Sequence, residues 1–263
     1  MKRPDDFHEL RERVRLVGTL ETTTGLRVGS GGGGLDDAVD LPVLRDVDGY
    51  PFIPGSSIKG VLRSTLEALV RGSGAEGSVW TCDPLSGEGC GDHESGRRED
   101  VDVDGHCLLC RVFGSHVLAS HVRVSDAMIP PDGRRGFVPI ERRDGVAIDR
   151  DLGVAVSGQK YDFEVVAAGT RFTTEVFVEN PEPWMLGLLT VGFDQIDDGF
   201  SALGGFTSRG LGRVRMTWTE VTRVTARGLL AGEPPEVLTD TLGAERDAWR
   251  KALTELAFGG GAS

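Results

Sequence analysis

One stretch decides the fold of the first half of this 263-residue chain: Pro51-Phe52-Ile53-Pro54-Gly55-Ser56-Ser57-Ile58-Lys59-Gly60-Val61-Leu62-Arg63. The prolines favour an extended entry, and the small residues Gly55, Ser56 and Ser57 form a turn that leads into a helix. Lys59 and Arg63 share one face of that helix, and apolar residues at helical spacing form its buried side. A helix start with nearby cations predicts an anion site. An ordinary strand–turn–helix with solvated basic residues fits the pattern equally well.

A second glycine-rich, basic segment lies far downstream: Ala202-Leu203-Gly204-Gly205-Phe206-Thr207-Ser208-Arg209-Gly210-Leu211-Gly212-Arg213-Val214-Arg215. Its glycines permit positive φ and close backbone approach, and Arg209 and Arg213 are placed to contact phosphates. The segment lacks the Gly-x-x-x-x-Gly-Lys-Ser/Thr pattern, which excludes a P-loop. The presence of two such segments in one chain favours anion binding by the first segment over an ordinary strand–turn–helix with solvated basic residues.

Together the two segments resemble the RAMP superfamily of CRISPR effector proteins. Members carry Pro-x-Ile-Pro-Gly-Ser-Ser-x-Lys-Gly-x-x-Arg in the first half and Gly-Gly-x-x-Ser-Arg-Gly-x-Gly near the end, and both motifs are nearly complete here. Between them, the stretches 148–150, 164–166 and 169–172 are similar to the family's block Ile-Asp-Arg … Glu-Val-Val … Gly-Thr-x-Phe. The resemblance covers about residues 14–220. It points to the repeated backbone subunits of type III effector complexes, which hold CRISPR RNA and cut paired target RNA.

The fold class implied is α+β, with a ferredoxin-like (RRM-like) RAMP core in a single domain over residues 1–263. The predicted secondary-structure elements follow the order β–α–β–β–α–β along the chain. Strands are predicted near 13–21, 119–129, 161–168, 171–179 and 213–222, a short one at 39–46, and helices at 56–71, 183–196 and 239–257. A zinc-binding insertion is expected at 72–110 and a thumb-like hairpin at about 130–160.

For the RNA, the resemblance implies contacts to the sugar-phosphate backbone that read no bases. The residues implied are Ser56, Ser57, Lys59, Arg63, Arg150, Gly204, Gly205, Ser208, Arg209, Gly210, Gly212 and Arg213. A solvated surface charge is the alternative for each single arginine. In the thumb, Val146, Ile148, Leu152 and Val154 are either wedge residues that displace a base pair or core residues.

All four cysteines fall in one polar stretch, with the spacing Cys-x7-Cys-x16-Cys-x2-Cys: Cys82, Cys90, Cys107 and Cys110. Four thiolates satisfy a tetrahedral Zn²⁺ and leave no open position for a catalytic water, so a structural zinc ion is predicted. Two disulfides are the alternative, which a reducing cytoplasm disfavours. His93 or His106 could replace one cysteine.

The candidate catalytic residues are Asp36, Asp37 and Asp40, which follow a glycine run. In target-cutting type III backbone subunits a loop aspartate stands two residues before the proline of a Pro-Val-x-x-Asp element. By that resemblance the aspartate is Asp40, with Asp37 and Asp36 in reserve. The implied reaction is attack of an RNA 2′-hydroxyl on its own phosphate, with the carboxylate holding hydrated Mg²⁺ or another divalent cation, or accepting the proton. A solvated acidic loop is the alternative, and with it a non-catalytic RNA-binding structural subunit.

The net charge and the hydropathy of the chain limit the kinds of partner that it can bind. The net charge of −12 opposes uniform coating by RNA, but the basic residues cluster apart from the acidic ones, which predicts a basic groove on an acidic body. There is no apolar run of transmembrane length, and the charged N-terminus leads into no secretory segment. These features predict a cytoplasmic protein without a membrane partner. The resemblance implies CRISPR RNA, target RNA, other RAMP subunits and further copies of the chain as partners.

Overall fold

The computed structural model describes residues 7–30, 39–74, 79–87, 89–91, 103–134 and 137–259. In chain order the elements are β1 (Glu12–Thr22), β2 (Phe52–Ile53), α1 (Gly55–Gly72), α2 (Leu108–Phe113), β3 (Val122–Val124), β4 (Ala127–Met128), β5 (Ile140–Ile148), β6 (Ala155–Val166), β7 (Arg171–Glu179), α3 (Pro183–Asp197), β8 (Val214–Thr225), α4 (Ala226–Ala231), β9 (Glu236–Val237) and α5 (Leu242–Phe258). Helices are combined with antiparallel sheet, which confirms the α+β class.

The main sheet has the strand order β2-β4-β7-β1-β8-β9, and β3 also pairs with β7. The central strand β1 runs antiparallel to both of its neighbours. Its alternation sets the two faces of the sheet, because successive side chains of a strand point to opposite sides. Val14, Leu16 and Leu20 are buried under the helices.

The opposite face of this sheet carries charged pairs that cross the strands. Arg13 pairs with Glu179 of β7 at 2.7 Å. Arg15 reaches both Glu175 of β7 at 2.6 Å and Glu220 of β8 at 2.8 Å. This layer of side chains is half exposed and polar, so the hydrophobic core lies on the helical side alone.

Helices α1 and α3 form that core with the sheet. In α1, Ile58, Leu62 and Leu66 are fully buried at helical spacing. In α3, Gly192 allows close packing, since a Cβ there would lie 3.1 Å from atoms of Leu62 and Leu66. Helix α5 packs against α3.

The segment predicted as a short strand at 39–46 does not form a continuous strand. It makes isolated bridges, such as Leu41 with Phe163 and Arg45 with Pro51. One reason is that the backbone N–H of Val43 donates to the carboxylate of Glu164 at 3.1 Å instead of to a neighbouring carbonyl. The short elements α2, α4 and β9 were not predicted.

The central hairpin is a separate two-stranded sheet, β5 paired with β6. Its second strand continues to Val166 and so includes most of the stretch that the sequence assigned to a separate strand at 161–168. The two strands therefore span residues 140–166, where a hairpin at about 130–160 was expected, and the base of the hairpin borders the main domain. Within the residues described above, no helix is both long and apolar enough to cross a membrane.

Candidate functional site

Asp40 lies against the base of the hairpin and is paired reciprocally with Asp162 of β6. The backbone N–H of Asp40 donates to Asp162 Oδ1 at 2.7 Å, and the backbone N–H of Asp162 donates to Asp40 Oδ2 at 2.9 Å. Asp40 is exposed, whereas Asp162 is only 8% exposed and also accepts from the guanidinium of Arg142. One carboxylate oxygen of Asp40 is thus anchored, and the residue presents its carboxylate to solvent. Asp36 and Asp37 lie outside the described residues.

The chain that follows Asp40 is docked on the same strand by Glu164. Its carboxylate accepts from the backbone of Val43 at 3.1 Å and from Arg45 at 2.7 Å. The backbone N–H of Glu164 donates to the carbonyl of Leu41 at 3.1 Å. Glu164 is buried, so these bonds hold the segment firmly.

A group of arginine and aromatic side chains, here called the Arg–aromatic cluster, lies beside this segment. Its members are Arg27, Tyr161, Phe163, Phe206 and Arg209. The guanidinium carbons of Arg27 and Arg209 lie 5.0 and 4.8 Å from the centre of the Phe206 ring, and Phe163 meets that ring edge-on at 5.2 Å. Arg209 donates to the Tyr161 hydroxyl at 2.6 Å. The cluster therefore joins the downstream glycine loop to the hairpin.

Two features of the cluster suit it to binding an anion. Neither Arg27 nor Arg209 forms an ion pair with a carboxylate of the described residues, and Arg27 Nε is buried without a hydrogen-bond partner there. Burial lowers the pKa of Arg27 from its usual value. Phe206 also has φ +61°, a left-handed conformation that is uncommon for a residue with a bulky side chain. A buried guanidinium nitrogen without a hydrogen-bond partner, together with local strain, is typical of a binding site.

The glycines of the downstream loop, which were predicted to contact RNA, fall into two groups. At Gly204 (φ +78°) a Cβ would lie 2.2 Å from the carbonyl of Arg27, and at Gly212 (φ +88°) it would lie 2.1 Å from the carbonyl of Leu203. These two glycines pack the loop onto its own chain. Gly210 (φ +84°) has no atom within 4 Å of a Cβ position. Gly210 is therefore open to solvent beside the exposed Arg209.

The remaining loop positions lie at the surface or are partly covered. Ser208 is exposed in a single helical turn over Thr207–Arg209, and Gly205 donates its N–H to the carbonyl of Arg27 at 2.7 Å. Arg213 is exposed and reaches the carbonyl of Asp198 at 3.4 Å.

The start of α1 differs from the expected anion site. The N–H of Gly55 donates to the carboxylate of Asp126 at 2.8 Å, so an acidic side chain of the protein already lies at the helix start. Lys59 Nζ donates to Ser120 Oγ at 2.8 Å and to the carbonyl of Val122 at 3.1 Å, and burial lowers its pKa.

Arg63 is likewise directed inward. It donates to the carbonyl of Gly114 at 3.1 Å, to Cys110 Sγ at 3.3 Å and to Glu67 at 2.9 Å. The structure therefore brings neither Lys59 nor Arg63 to the Arg–aromatic cluster. Ser56 is exposed and Lys59 half-buried in a separate 430 Å³ cleft between α1 and β3.

The far end of the hairpin is apolar and exposed. Val146, Ile148, Leu152 and Val154 have exposed fractions of 49%, 62%, 74% and 54%. The core alternative is therefore excluded for all four in this chain. Arg150 lies exposed in the same tip.

The four cysteines converge as the spacing predicts. All four sulfur atoms lie within 4.8 Å of one another, with Cys82 at 3.6 Å from Cys110 and 3.7 Å from Cys107. A disulfide would need about 2.05 Å, and the cysteines are free thiols. A tetrahedral zinc ion with Zn–S bonds of about 2.3 Å has its sulfurs about 3.8 Å apart. The cluster therefore fits a bound metal ion.

The surroundings of the thiols also suit a cation. Backbone N–H groups donate to Cys90 Sγ at 3.2 Å and to Cys107 Sγ at 3.4 Å. A hydrogen bond from Cys110 lowers the pKa of Cys107 to about 4, and burial raises the pKa of Cys90 to about 12. The protein alone thus favours one thiolate, and a dication would supply the charge that the others need. His106 Nε2 instead bonds Ser115 Oγ at 3.1 Å, and His93 lies outside the described residues.

Comparison with known proteins supports the resemblance. A family model described as the RAMP superfamily matches residues 19–215, which include both glycine-rich motifs. The chain belongs to the RAMP superfamily. It is 30% identical over 217 residues to the "CRISPR system Cms endoribonuclease Csm3" of Methanocaldococcus jannaschii, covering 78% of this chain and 79% of that protein. It is 26% identical to the Csm3 of Enterococcus italicus, covering 77% and 89%.

A solved structure supports the fold. One chain of the type III-B Cmr-beta complex bound to cognate target RNA is 16% identical, with a TM-score of 0.51, covering 78% of this chain and 96% of that chain. At this identity the likeness concerns the fold alone.

Sequence reasoning missed several residues of this site, namely Arg27, Tyr161, Asp162, Phe163 and Phe206. A signal for Asp162 was present, because Tyr161-Asp162-Phe163-Glu164 places two acids on the buried side of an alternating strand. For Arg27 and Phe206 no local pattern exists, since their proximity is a tertiary contact.

Proposed function

We propose that this chain is a backbone subunit of a type III CRISPR effector complex that binds guide RNA and cleaves the paired target RNA. The observation that carries the proposal is the exposed Asp40, anchored on the same strand that contributes Tyr161 and Phe163 to the Arg–aromatic cluster. The strand that anchors this solvent-facing carboxylate thus also contributes rings to a cluster whose cations lack anionic partners among the described residues. The relatives named as endoribonucleases support the reaction class.

The Arg–aromatic cluster is the proposed centre of RNA binding. Arg27 and Arg209 would bind phosphate oxygens, and the Phe206 ring between them keeps both guanidinium groups oriented. Ser208, Gly210 and Arg213 would extend this surface along the loop. Such contacts to the RNA backbone carry no base sequence.

Two residues that were predicted to contact RNA are given a different role. Lys59 and Arg63 already donate to the chain itself, so we assign them to holding α1 against β3 and the cysteine cluster. Ser56, which lines the 430 Å³ cleft, and the neighbouring Ser57 stay proposed contacts. The exposed hairpin tip is proposed to separate bases of the guide–target duplex, with Arg150 on the RNA backbone.

Cleavage would follow from the chemistry of RNA. The 2′-oxygen attacks the adjacent phosphorus and the bond from phosphorus to the 5′-oxygen breaks, which gives a 2′,3′-cyclic phosphate. The leaving 5′-oxygen takes a proton from water and becomes a 5′-hydroxyl. Asp40 would accept the 2′-hydroxyl proton or, with its solvent-facing oxygen, hold a divalent cation. Mg²⁺ in such sites is held by one or two carboxylates with substrate phosphate, and when bound it neutralises charge on the phosphate. Asp37 and Asp36 are the reserve residues.

The remaining parts of the chain are proposed to serve assembly. Cys82, Cys90, Cys107 and Cys110 would hold a structural Zn²⁺ in an insertion over residues 72–110. The elements β1, α1, β3 with β4, β7, α3 and β8 would form a ferredoxin-like RAMP core of a single domain. Partners would be CRISPR RNA, target RNA, other RAMP subunits and copies of this chain.

The test uses the complex assembled on guide RNA. Asp40→Ala and Asp40→Asn should each lower the cleavage rate at least about 100-fold, with guide and target binding retained. A target with a 2′-deoxy nucleotide at the cut, or addition of EDTA, should stop cleavage as well. Asp48→Asn is the matched control, because it removes another exposed loop carboxylate, paired with Arg134 at 3.2 Å, and should cut normally.

Asn at position 40 can still accept the N–H of Asp162, so it removes charge with the least change of structure. Normal cleavage by both Asp40 variants would refute the assignment and move it to Asp36 or Asp37. A wild-type complex that binds target and never cuts would establish the alternative, a non-catalytic RNA-binding subunit.

A further inference from the structure

Asp162 is a buried carboxylate for which the proposed reaction has no direct use. It is 8% exposed and lies under the segment that carries Asp40. Its side chain accepts from the Asp40 backbone at 2.7 Å and from Arg142, while its own N–H binds Asp40 Oδ2 at 2.9 Å. One residue thus fixes both the main chain and the carboxylate of Asp40.

We propose that Asp162 is a positioning residue for Asp40; this inference rests on the proposed function. The backbone bond sets where Asp40 lies, and the second bond sets the direction of its carboxylate. Reactions of this kind depend steeply on placement, since an error of about 1 Å costs about 100-fold in rate. Asp40 is exposed, so packing contributes little to holding its carboxylate in place.

The attachment of the surrounding segment does not depend on Asp162. Glu164 independently holds Val43 at 3.1 Å and Arg45 at 2.7 Å, and it donates to the Leu41 carbonyl. Loss of the Asp162 side chain should therefore free the main chain of Asp40, while the backbone N–H of residue 162 still donates to its carboxylate and residues 41–45 stay docked. This separates the positioning of Asp40 from the stability of the loop.

The guanidinium of Arg142 pairs with the buried Asp162 carboxylate and offsets the cost of burying its charge. An ionised acceptor makes a hydrogen bond roughly twice as strong as a neutral one. Asparagine at position 162 would keep an acceptor for the Asp40 N–H but lose this charge assistance. Its effect should fall between those of wild type and alanine.

The hairpin offers a matched control in Asp144, the cross-strand partner of Asp162. Asp144 also pairs with a basic residue, Lys160 at 3.1 Å, but it is exposed. Asp144→Asn therefore changes an equivalent ion pair in the same sheet without affecting Asp40.

The experiment compares Asp162→Ala, Asp162→Asn and Asp144→Asn in complexes assembled on guide RNA. We measure the single-turnover cleavage rate, the target Kd and the Mg²⁺ concentration that gives half the maximal rate. We expect a loss of about 100-fold for Asp162→Ala, about tenfold for Asp162→Asn and no change for Asp144→Asn. Target Kd should be unchanged in all three, and the Mg²⁺ midpoint should rise for both Asp162 variants.

The outcomes separate the two proposals. If Asp40→Ala is inactive and Asp162→Ala cuts at the wild-type rate, positioning by Asp162 is refuted and the proposed function stands. If Asp40→Ala cuts normally, the proposed function itself fails. Weakened target binding in parallel with lost cleavage would show that Asp162 is merely structural. Should Asp162→Ala not assemble, a wild-type rate and Mg²⁺ midpoint for Asp162→Asn would overturn the inference.

Discussion

Gly55, in the motif that opens α1, should be intolerant of a single added methyl group. A Cβ at this position would lie 2.1 Å from the carbonyl oxygen of Val124 and 2.9 Å from the carbonyl carbon of Ser125. Both obstacles are backbone atoms of a strand that α1 packs against, so neither can rotate away. Gly55→Ala must therefore push the helix start off the sheet.

The size of the effect follows from the contacts that change. Overpacking of this kind costs about 1–3 kcal/mol, and displacement weakens the hydrogen bond from Gly55 to the Asp126 carboxylate, worth about 1.5–3 kcal/mol. Because the two losses overlap, we expect a decrease of about 3 kcal/mol in the free energy of unfolding. With about 2–4 °C per kcal/mol for a chain of this size, Tm should fall by roughly 6–12 °C.

Gly60 in the same helix is the control. It is exposed, and a Cβ there meets no atom within 4 Å. Alanine is favoured over glycine in a helix interior by about 0.8–1 kcal/mol, so Gly60→Ala should raise Tm by roughly 2–4 °C. Thermal unfolding followed by circular dichroism measures both variants. If Gly55→Ala is as stable as Gly60→Ala, the steric argument fails, and Gly55 would instead be present for approach to a ligand.

Two further predictions concern metal and guide binding. Freshly purified protein should contain one zinc ion per chain by elemental analysis, and Cys107→Ser should lose it together with the fold of the insertion; intact disulfides or absence of zinc would contradict the metal site. Combined Arg27→Ala and Arg209→Ala should weaken guide binding and reduce the dependence of log K on log salt by about 2, one for each phosphate contact. Arg171→Ala, which removes an exposed arginine already paired with Glu21 at 2.8 Å, should leave that slope unchanged, and an unchanged slope for the double variant would refute the phosphate assignment.

The main elements were predictable because their patterns are local. The alternation of Val14, Leu16 and Leu20 predicted β1 within one residue at each end. Helix α1 was predicted from helical spacing and α3 from a continuous apolar run. The segment at 39–46 was mistaken for a strand because side chains of β6 take the place of a neighbouring strand.

The site was predictable only where residue type alone sets the partner. Four cysteines in a polar stretch have few other roles, and they do converge. The spacing of Lys59 and Arg63 predicted a shared helix face, but spacing does not show whether that face points to solvent or to the chain. Asp40 is proposed through the resemblance, while its partner Asp162 is 122 residues away in sequence and belongs to a contact that no local pattern encodes.

The charged layer on the open face of the sheet limits where RNA can run. In RNA-recognition sheets, exposed aromatic rings stack on bases, but here Phe177 on this face is covered by Arg123, whose guanidinium lies 5.0 Å from the ring centre. Arg13 and Arg15 are already neutralised by carboxylates, so a polyanion passing over them would release few counterions and gain little affinity. Because its charges are already paired, this face of the sheet attracts a nucleic acid only weakly. The nucleic acid would bind instead at the edge formed by the glycine loop and the hairpin.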